Sequence, residues 1–235
     1  MPAARQVQRE WLDELPADDP RAIRSRRDLI RVNIWMMQAG IMTHALLTHS
    51  AKKPRTILDL GSGDGIFMLR VARLLAPQWS GVTVVMLDQQ DIVSKVTGDE
   101  FSALRWSAQT ITGELFDVLD RPGLPNFDAV IANLFLHHFA QPQLAQLLSR
   151  VATMAPLFVA CEPRRGALPL LASRSLWVIG CNEVSRHDAT IRVRAGFAGS
   201  ELSALWPDRG RWELHERAAR LFTHCFVARR AQQGP

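Results

Sequence analysis

The sequence predicts an α/β protein built on a mostly parallel sheet with helices on both faces. Three observations lead to this fold class. From about residue 54 onward, short apolar runs alternate with amphipathic segments, a pattern typical of parallel sheets. Runs such as "DAVIA" are almost entirely apolar, as strands buried on both faces are. The C-terminal stretch shows two strand-like runs around a polar turn, which predicts an antiparallel hairpin at the sheet edge.

The composition indicates a folded protein with a sizeable core. Of its 235 residues, 47% are hydrophobic and 22% are charged, which argues against global disorder. The net charge of +5 comes from arginines scattered along the chain. We interpret it as a solvated basic surface and do not expect a nucleic-acid partner.

The cysteines and the hydropathy of the chain indicate the cellular environment in which the protein is expected to act. Cys161, Cys181 and Cys225 lie far apart and predict neither a disulfide framework nor a metal knuckle. We therefore expect reduced thiols and no bound metal. The N-terminus has no long apolar core, and no apolar run is long enough to span a bilayer. We expect a soluble, cytoplasmic protein that acts as a monomer or homodimer.

The first 50 residues are predicted to form a helical cap over the mouth of a ligand site. Asp18, Asp19 and Pro20 are a helix start signal. The cap residues expected to line the mouth are Arg31, Asn33, Trp35 and Met36. Residues 51–235 are predicted to form one ligand-binding domain.

Strand and helix candidates alternate through the first part of that domain. The predicted strands are "RTILDL" (55–60), "GVTVVMLD" (81–88), "ALRWSAQ" (103–109), "FDAVIANLFL" (127–136) and "LFVACEP" (157–163). The predicted helices are "GIFMLRVARLLAP" (65–77), "DIVSKVTG" (91–98, ended by Gly98) and "QPQLAQLLSRVATMAP" (141–156). Strands joined by helical crossovers run parallel, so their carboxyl ends are expected to lie at one edge of the sheet.

The remaining segment divides into an irregular part and a hairpin. Residues 164–210 are predicted to be a variable insertion on the substrate side, with a short helix capped by Ser200. Arg192 and Arg194 alternate there and would share one face if the chain were extended. Trp212–Glu216 and Phe222–Arg229 are the two predicted hairpin strands.

The stretch "ILDLGSGDG" follows a strand and opens a helix, so it predicts a ligand loop at the carboxyl end of the sheet. Gly61 would allow the sharp turn, Gly63 would let the backbone approach the ligand, and Gly65 would let the helix pack closely. The spacing is GxGxG and acids flank it, which disfavours a pyrophosphate. Asp59 favours a ligand with a cationic end, whose carboxylate the backbone N–H groups would bind.

Asp88 ends the next strand, in "VVMLDQQ". A ribose needs an acid at this position, because a carboxylate accepts hydrogen bonds from both of its hydroxyls. The alternative is an exposed acid that caps the helix starting near Asp91. The spacing from the glycine loop favours the ribose.

Together, "ILDLGSGDG", "VVMLD" and "FDAVIANLFLHHF" resemble the class I S-adenosylmethionine-dependent methyltransferases over residues 55–140. The segment "LHHF" and the helical cap are similar to those of quinone-biosynthesis and secondary-metabolite methyltransferases. The resemblance implies a Rossmann-like seven-stranded sheet whose last strand is antiparallel, and S-adenosyl-L-methionine as cofactor. It also implies a small-molecule acceptor.

The resemblance also implies positions for the cofactor. Asp59, Gly61, Ser62 and Gly63 would line the methionine moiety, Gly65 would support packing, Asp88 with Gln89 would bind the ribose, and Asn133 and Leu134 would lie beside the methyl group. An acid that follows the third strand usually meets the adenine amino group. Glu114 is the candidate here and Asp117 the competitor.

The substrate side offers histidines as general bases. His137 and His187 are the candidates, the latter beside Asp188. Each could instead have a structural role, His137 as a cap or loop tie and His187 in a turn. Glu162 and Arg164 would face the cavity or hold the cap.

Three functions are open at this point. A small-molecule methyltransferase acting on an aromatic, phenolic or lipid-like acceptor, at oxygen or carbon, is the first. An RNA or protein methyltransferase is the second, although "NLFL" replaces the "NPPY" type of motif and the chain has no Tyr. A non-enzymatic cofactor-binding subunit is the third.

Overall fold

The computed structural model describes residues 4–16, 18–176 and 180–231. Its centre is a seven-stranded sheet, as predicted. The strands are β1 (Thr56–Leu60), β2 (Thr83–Asp88), β3 (Ser107–Thr112), β4 (Ala129–Asn133), β5 (Leu157–Pro163), β6 (Trp212–Ala219) and β7 (Thr223–Arg230). Their order is β3-β2-β1-β4-β5-β7-β6, with β7 antiparallel to both of its neighbours. The other pairs are parallel, which confirms the predicted fold class.

Ten α-helices are described: α1 (Trp11–Glu14), α2 (Pro20–Trp35), α3 (Gln38–His49), α4 (Ile66–Leu75), α5 (Lys95–Ala103), α6 (Leu115–Leu119), α7 (Gln141–Met154), α8 (Ala167–Arg174), α9 (Glu183–Ala195) and α10 (Glu201–Leu205). Short 3-10 helices cover Leu136–His138 and Arg209–Arg211. No helix in the described ranges is both long enough and apolar enough to cross a membrane.

The core lies in two layers, one on each face of the sheet. Side chains from α3, α4 and α5 pack on one face, with Met42, Leu75 and Phe101 fully buried. Side chains from α6, α7 and α10 pack on the other, with Leu147 and Leu202 fully buried. Burial on both faces explains why the central strands are apolar at nearly every position.

Several boundaries differ from the sequence predictions. The predicted end of α5 at Gly98 is wrong, because the helix runs from its Ser94 cap through to Ala103 and buries Thr97 and Phe101 against the sheet. Packing against the core thus outweighs the low helix propensity of glycine. The strand predicted at 103–109 lies at Ser107–Thr112 instead.

The segment predicted to be irregular contains two helices, α8 and α9. The side chain of Asn182 caps α9 by accepting the N–H of Ser185 at 2.8 Å. Arg192 and Arg194 are therefore helical, and the alternating extended arrangement considered above is wrong. Ser200 makes no side-chain cap hydrogen bond on α10. Glu216 instead accepts the N–H groups of Leu202 and Ser203 in the first turn of that helix.

Candidate cofactor and acceptor site

A cavity of about 800 Å³ opens at the carboxyl edge of the sheet. The ends of β1, β2, β3 and β4 form its floor, and α2, α4 and the first residues of the chain form its walls. Its lining includes Gly61, Ser62, Gly63, Asp64, Asp88, Gln89, Gly113, Glu114, Asn133, Leu134, Phe135, His138, Phe139 and Arg192. The structure therefore gathers most of the predicted cofactor residues at one place, because parallel strands end at one edge.

The glycine loop is tied to the neighbouring strand. The N–H groups of Gly61 and Ser62 both donate to the carbonyl of Leu87, at 2.9 and 3.1 Å. The N–H of Gly63 donates to Asp88 Oδ2 at 2.8 Å. These donors, which were predicted to bind the carboxylate of a ligand, are engaged within the protein. The loop fixes the position of Asp88 instead.

Two glycines in this loop leave no room for a side chain. Gly61 has φ +68°, and a Cβ there would lie 2.1 Å from the ring of Phe135. A Cβ on Gly65 would lie 2.9 Å from Met86 Sδ in β2, which agrees with its predicted role in close packing. A Cβ on Gly63 would meet nothing within 4 Å, so the space beside that residue is open to a ligand.

Asp59 lies behind the loop rather than on the cavity wall. Its side chain is buried, and Oδ2 has no hydrogen-bond partner within the described ranges. Burial, with the negative charge of Asp88 in addition, raises the pKa of Asp59 to about 8. A nearby cation would lower this pKa, so the carboxyl group favours a positively charged ligand in front of it.

Two further buried polar atoms beside the cavity lack partners in the part of the chain that the structure describes. They are Ser62 Oγ and Asn133 Oδ1. Buried polar atoms are normally paired, because an unmet hydrogen bond costs free energy. A ligand with polar groups at this end of the cavity would satisfy both.

At the other end, Glu114 lines the cavity and hydrogen-bonds the side chain of Gln89. Asp117 lies on α6 and is not among the cavity-lining residues. Of the predicted pair, Glu114 is therefore the acid within reach of a bound ligand.

The loop after β4 forms the wall opposite the glycines. Leu134 has φ +52°, a strained conformation for a side chain of this kind. The carboxylate of Glu162 at the end of β5 holds the next residues, since Oε1 accepts the N–H groups of Phe135 and Leu136 at 2.9 and 2.8 Å.

His137 lies behind this wall, between two buried carboxylates. Its Nδ1 is 2.8 Å from Glu162 Oε2, and its Nε2 is 3.1 Å from Glu10 Oε1. Burial disfavours the imidazolium, but the hydrogen bonds to both carboxylates raise the pKa of His137 above its ordinary value. The neighbouring His138 is 27% exposed and is the histidine of the pair that lines the cavity.

His187 lies on α9 and stacks on Trp11, with ring centroids 3.7 Å apart. Its Nδ1 is 3.1 Å from Asp188 Oδ1. Asp188 also accepts the N–H groups of Trp11 and Leu12, both at 3.0 Å. The pair therefore anchors the start of the chain and is not among the cavity-lining residues.

Glu10, His137 and His138 place ligand atoms within 4.8 Å of one another, as a metal site would. Arg192 makes an ion pair with Glu10, and both ring nitrogens of His137 face carboxylates. The carboxylate of Glu10 is thus already paired with a guanidinium group, and both ring nitrogens of His137 are paired with carboxylates.

Some residues of the helical cap line the cavity, and others lie away from it. Arg26 and Ile30 of α2 line the cavity, whereas the predicted Arg31 pairs with Asp28. The side chains of Asn33 and Trp35 lie outside the part of the chain that is described. Sequence reasoning also missed Glu10, because a lone acid in a polar N-terminal stretch carries no motif.

The sheet order and the glycine-loop cavity define a Rossmann-like methyltransferase fold. Residues 57–155 match the family model described as "Methyltransferase domain". This segment is accordingly a methyltransferase domain, which agrees with the predicted class. No protein of curated function matches the sequence.

Solved structures with the same fold include an O-methyltransferase family protein from Burkholderia thailandensis, with TM-score 0.62, 18% identity and coverage of 92% of this chain and 61% of that one. Human N-acetylserotonin methyltransferase, in complex with SAM, has a TM-score of 0.59 and 16% identity, with coverage of 95% of this chain and 63% of that one. The plantazolicin methyltransferase BpumL, in complex with SAH and a monoazolic desmethylPZN analog, has a TM-score of 0.62 and 14% identity, with coverage of 91% of each chain. The protein thus spans about three fifths of the length of the first two.

Proposed function

We propose that this protein transfers the methyl group of S-adenosyl-L-methionine to a small-molecule acceptor, an aromatic, phenolic or lipid-like metabolite, at oxygen or carbon. The observation that carries the proposal is the meeting of three strand ends at one cavity. The glycine loop, Asp88 and Asn133 end or follow β1, β2 and β4 and face the same space.

In this proposal the cofactor spans the cavity from Asn133 to Glu114. Asp88 and Gln89 bind the ribose, and Glu114 accepts the adenine amino group. Ser62 and Asn133 gain partners for their unpaired oxygens. Asp59 favours the cationic end through its field, from behind Gly61, Gly63 and Leu134, while Gly65 keeps α4 close to the sheet.

Arg26 and Arg70 provide the cationic groups for the cofactor's carboxylate, in place of the engaged loop amides. Both line the cavity. Arg26 donates to Gln90 at 3.3 Å, so its guanidinium already lies beside the end of β2. A planar guanidinium suits a carboxylate through paired hydrogen bonds.

The acceptor end is aromatic. Phe135 and Phe139 lie edge to face with centroids 5.1 Å apart, and Phe116 meets Phe139 at 6.0 Å. All three line the cavity together with His138. Flat apolar acceptors pack favourably against such rings, and relatives by fold include O-methyltransferases.

Methyl transfer is an in-line displacement at carbon that needs alignment and exclusion of water. The cofactor supplies the activated methyl group. This chain's residues hold the two reactants, and a base removes the acceptor's proton. The prediction of His137 and His187 as bases stays a prediction. We propose His138 for this role because its ring reaches the cavity.

Calorimetry with S-adenosylhomocysteine tests the cofactor site. We expect binding by the natural chain and a loss of about 1.4–2.8 kcal/mol, or about 10- to 100-fold in affinity, in Asp88→Ala, since a charged group's hydrogen bonds are removed. Asp91→Ala, an exposed acid three residues away, is the matched control. Absence of binding, or equal affinity in Asp88→Ala, contradicts the proposal.

The acceptor is tested by mass-spectrometric detection of methylated products from phenols, naphthols and hydroxy fatty acids. Methylation of at least one phenol or hydroxy acid is expected, and its loss in His138→Ala supports the base. Methylated RNA or protein without any small-molecule product would favour the alternative class instead.

A further inference from the structure

The start of the chain forms one wall of the cavity. We call residues 5–14 the N-terminal strap. Its residues that line the cavity are Val7, Gln8, Arg9, Leu12 and Glu14. The strap is attached at both ends: Arg5 donates to Ala195 O at 2.7 Å, and Asp188 accepts the N–H groups of Trp11 and Leu12. A ligand that fills this cavity therefore contacts the strap.

Between those attachments, Glu10 points inward and is 1% exposed. Arg192 Nε lies 2.8 Å from both of its carboxylate oxygens. Oε1 is also 3.1 Å from His137 Nε2 and 3.8 Å from His138 Nε2. A carboxylate of the strap thus reaches both histidines that follow β4.

These contacts form a row of alternating charges. It runs from Glu162 in β5 through His137 and Glu10 to Arg192 in α9. Two carboxylates and two cations balance when His137 is protonated. Removing any inner member leaves a buried charge without its partner, which is costly.

The row also supports the strained loop that faces the acceptor. Glu162 Oε1 accepts two backbone N–H groups of that loop, and His137 occupies the other oxygen of the carboxylate. His137 is in turn held by Glu10. The loop from Leu134 to His138 therefore depends, through His137, on a residue of the strap.

We infer that Glu10 is a positioning residue for methyl transfer: closure of the N-terminal strap brings its carboxylate to the histidine pair and so fixes the loop that faces the acceptor. The inference rests on the proposed function in one respect, because it assumes that the site carries out methyl transfer. The closure itself is measurable without any substrate.

The row gives strap closure a pH dependence. The groups that face His137 are Glu10 and Arg5 from the strap, Glu162 from β5, Arg192 from α9 and the adjacent His138. Arg5 donates to the carbonyls of Leu136 and His137 at 3.2 and 3.1 Å. Because the pKa of His137 is raised, its charge holds Glu10 below that pKa. The hold is lost as pH rises through it.

The test is amide hydrogen exchange of residues 5–14 in the full chain at several pH values, corrected for intrinsic rates. Glu10→Gln is expected to lower strap protection by about 10- to 100-fold, the loss of one charge-assisted hydrogen bond. It should also abolish the pH dependence. Glu14→Gln, on the same strap, should keep both. Unchanged protection or unchanged pH dependence in Glu10→Gln overturns the inference.

If Glu10→Gln does not fold, His137→Gln must show the same two losses, and retention of the pH dependence overturns the inference equally. With an acceptor found in the methylation screen, Glu10→Gln should lower kcat about tenfold and leave the KM for S-adenosylmethionine within about twofold. An unchanged kcat overturns the positioning role. Failure of the natural chain to bind S-adenosylhomocysteine contradicts the proposed function and leaves the exchange result intact.

Discussion

Glu162 and Glu216 are two carboxylates with the same kinds of partner in different regions. Glu162 accepts two backbone N–H groups and contacts His137 behind the cavity wall. Glu216 accepts the N–H groups of Leu202 and Ser203 and contacts His224 Nε2 at 2.8 Å, at the far edge of the sheet. In both, burial would raise the pKa, but the histidine and backbone hydrogen bonds lower it.

The difference lies on the other side of each histidine. His137 meets a second carboxylate, Glu10, which comes from more than a hundred residues away. His224 lies near the ring of Phe197, 6.3 Å away. The same local arrangement stabilises the fold in one place, and in the other it also links the strap, the loop after β4 and the cavity.

The largest expected effect tests that difference directly. Glu162→Ala and Glu216→Ala should each lower the free energy of unfolding by about 3–5 kcal/mol, because each leaves buried partners unpaired. Denaturant titration measures this loss. Calorimetry should then separate the two, with S-adenosylhomocysteine affinity reduced in Glu162→Ala alone. An equal loss of affinity in Glu216→Ala breaks the comparison.

Gly61 at the cavity and Gly81 outside its lining have the same φ but differ in the space around them. Gly61→Ala should cost about 2–4 kcal/mol, since its Cβ would overlap the ring of Phe135 and its φ is positive. Gly81→Ala has the same φ of +68° with nothing within 4 Å of its Cβ and should cost about 1 kcal/mol. Equal thermal unfolding shifts in both variants contradict this prediction.

Asp59 sharpens the comparison because it is a buried carboxyl group that lacks the partners of the two glutamates. Its folded pKa of about 8 exceeds its unfolded value, so it lowers stability progressively as pH rises from about 4 to 8. Asp59→Asn should gain stability over the natural chain with rising pH in that window. A gain that does not change between pH 5 and pH 7.5 contradicts this.

In the proposed cofactor site, the same group should couple ligand binding to proton release. A bound ammonium or sulfonium favours the ionised form of Asp59, so binding releases a proton below pH 8. Affinity for S-adenosylhomocysteine should rise with pH up to about 8, by at most about tenfold per unit. Calorimetry in buffers of different ionisation enthalpy counts the proton, and Asp59→Asn should bind without releasing one.

The smallest effect concerns the outer face of the strap. His187→Ala removes the stacking on Trp11 and should cost about 0.5–1.5 kcal/mol, with affinity for S-adenosylhomocysteine unchanged. Turnover should also persist if His187 only anchors the strap. Loss of turnover with a retained fold would instead support the sequence-based prediction of a base at His187.

The residues at the strand ends that line the cavity were predictable because each directly follows an apolar run. Gly61, Asp88 and Asn133 each end or follow an apolar run, and parallel pairing alone brings them together. The same apolar runs predicted the parallel strands of the sheet, and the polar turn near the C-terminus predicted the hairpin.

The row of charges that supports the loop after β4 was only partly predictable. Glu162 lies near the end of a predicted strand, but Glu10 and Arg192 come from distant segments, and nothing in their local pattern shows that they meet Glu162 through His137. The sequence predicts an irregular segment where α9 forms, because the charged and small residues there give little amphipathic periodicity. Tertiary contacts, Asn182 as cap and Asp28 accepting the N–H of Asn182 at 2.8 Å, fix it instead.

The hydrogen bonds inside the glycine loop have a consequence for discrimination among nucleotides. Loops that cradle phosphates keep successive backbone N–H groups aimed at the anion. Here the N–H groups of Gly61, Ser62 and Gly63 already donate to Leu87 and Asp88. A dinucleotide or a nucleoside triphosphate would find its expected donors occupied and a carboxylate beside its phosphates. We therefore expect this loop to disfavour nucleotides that carry phosphates and to favour a nucleoside whose chain end is cationic.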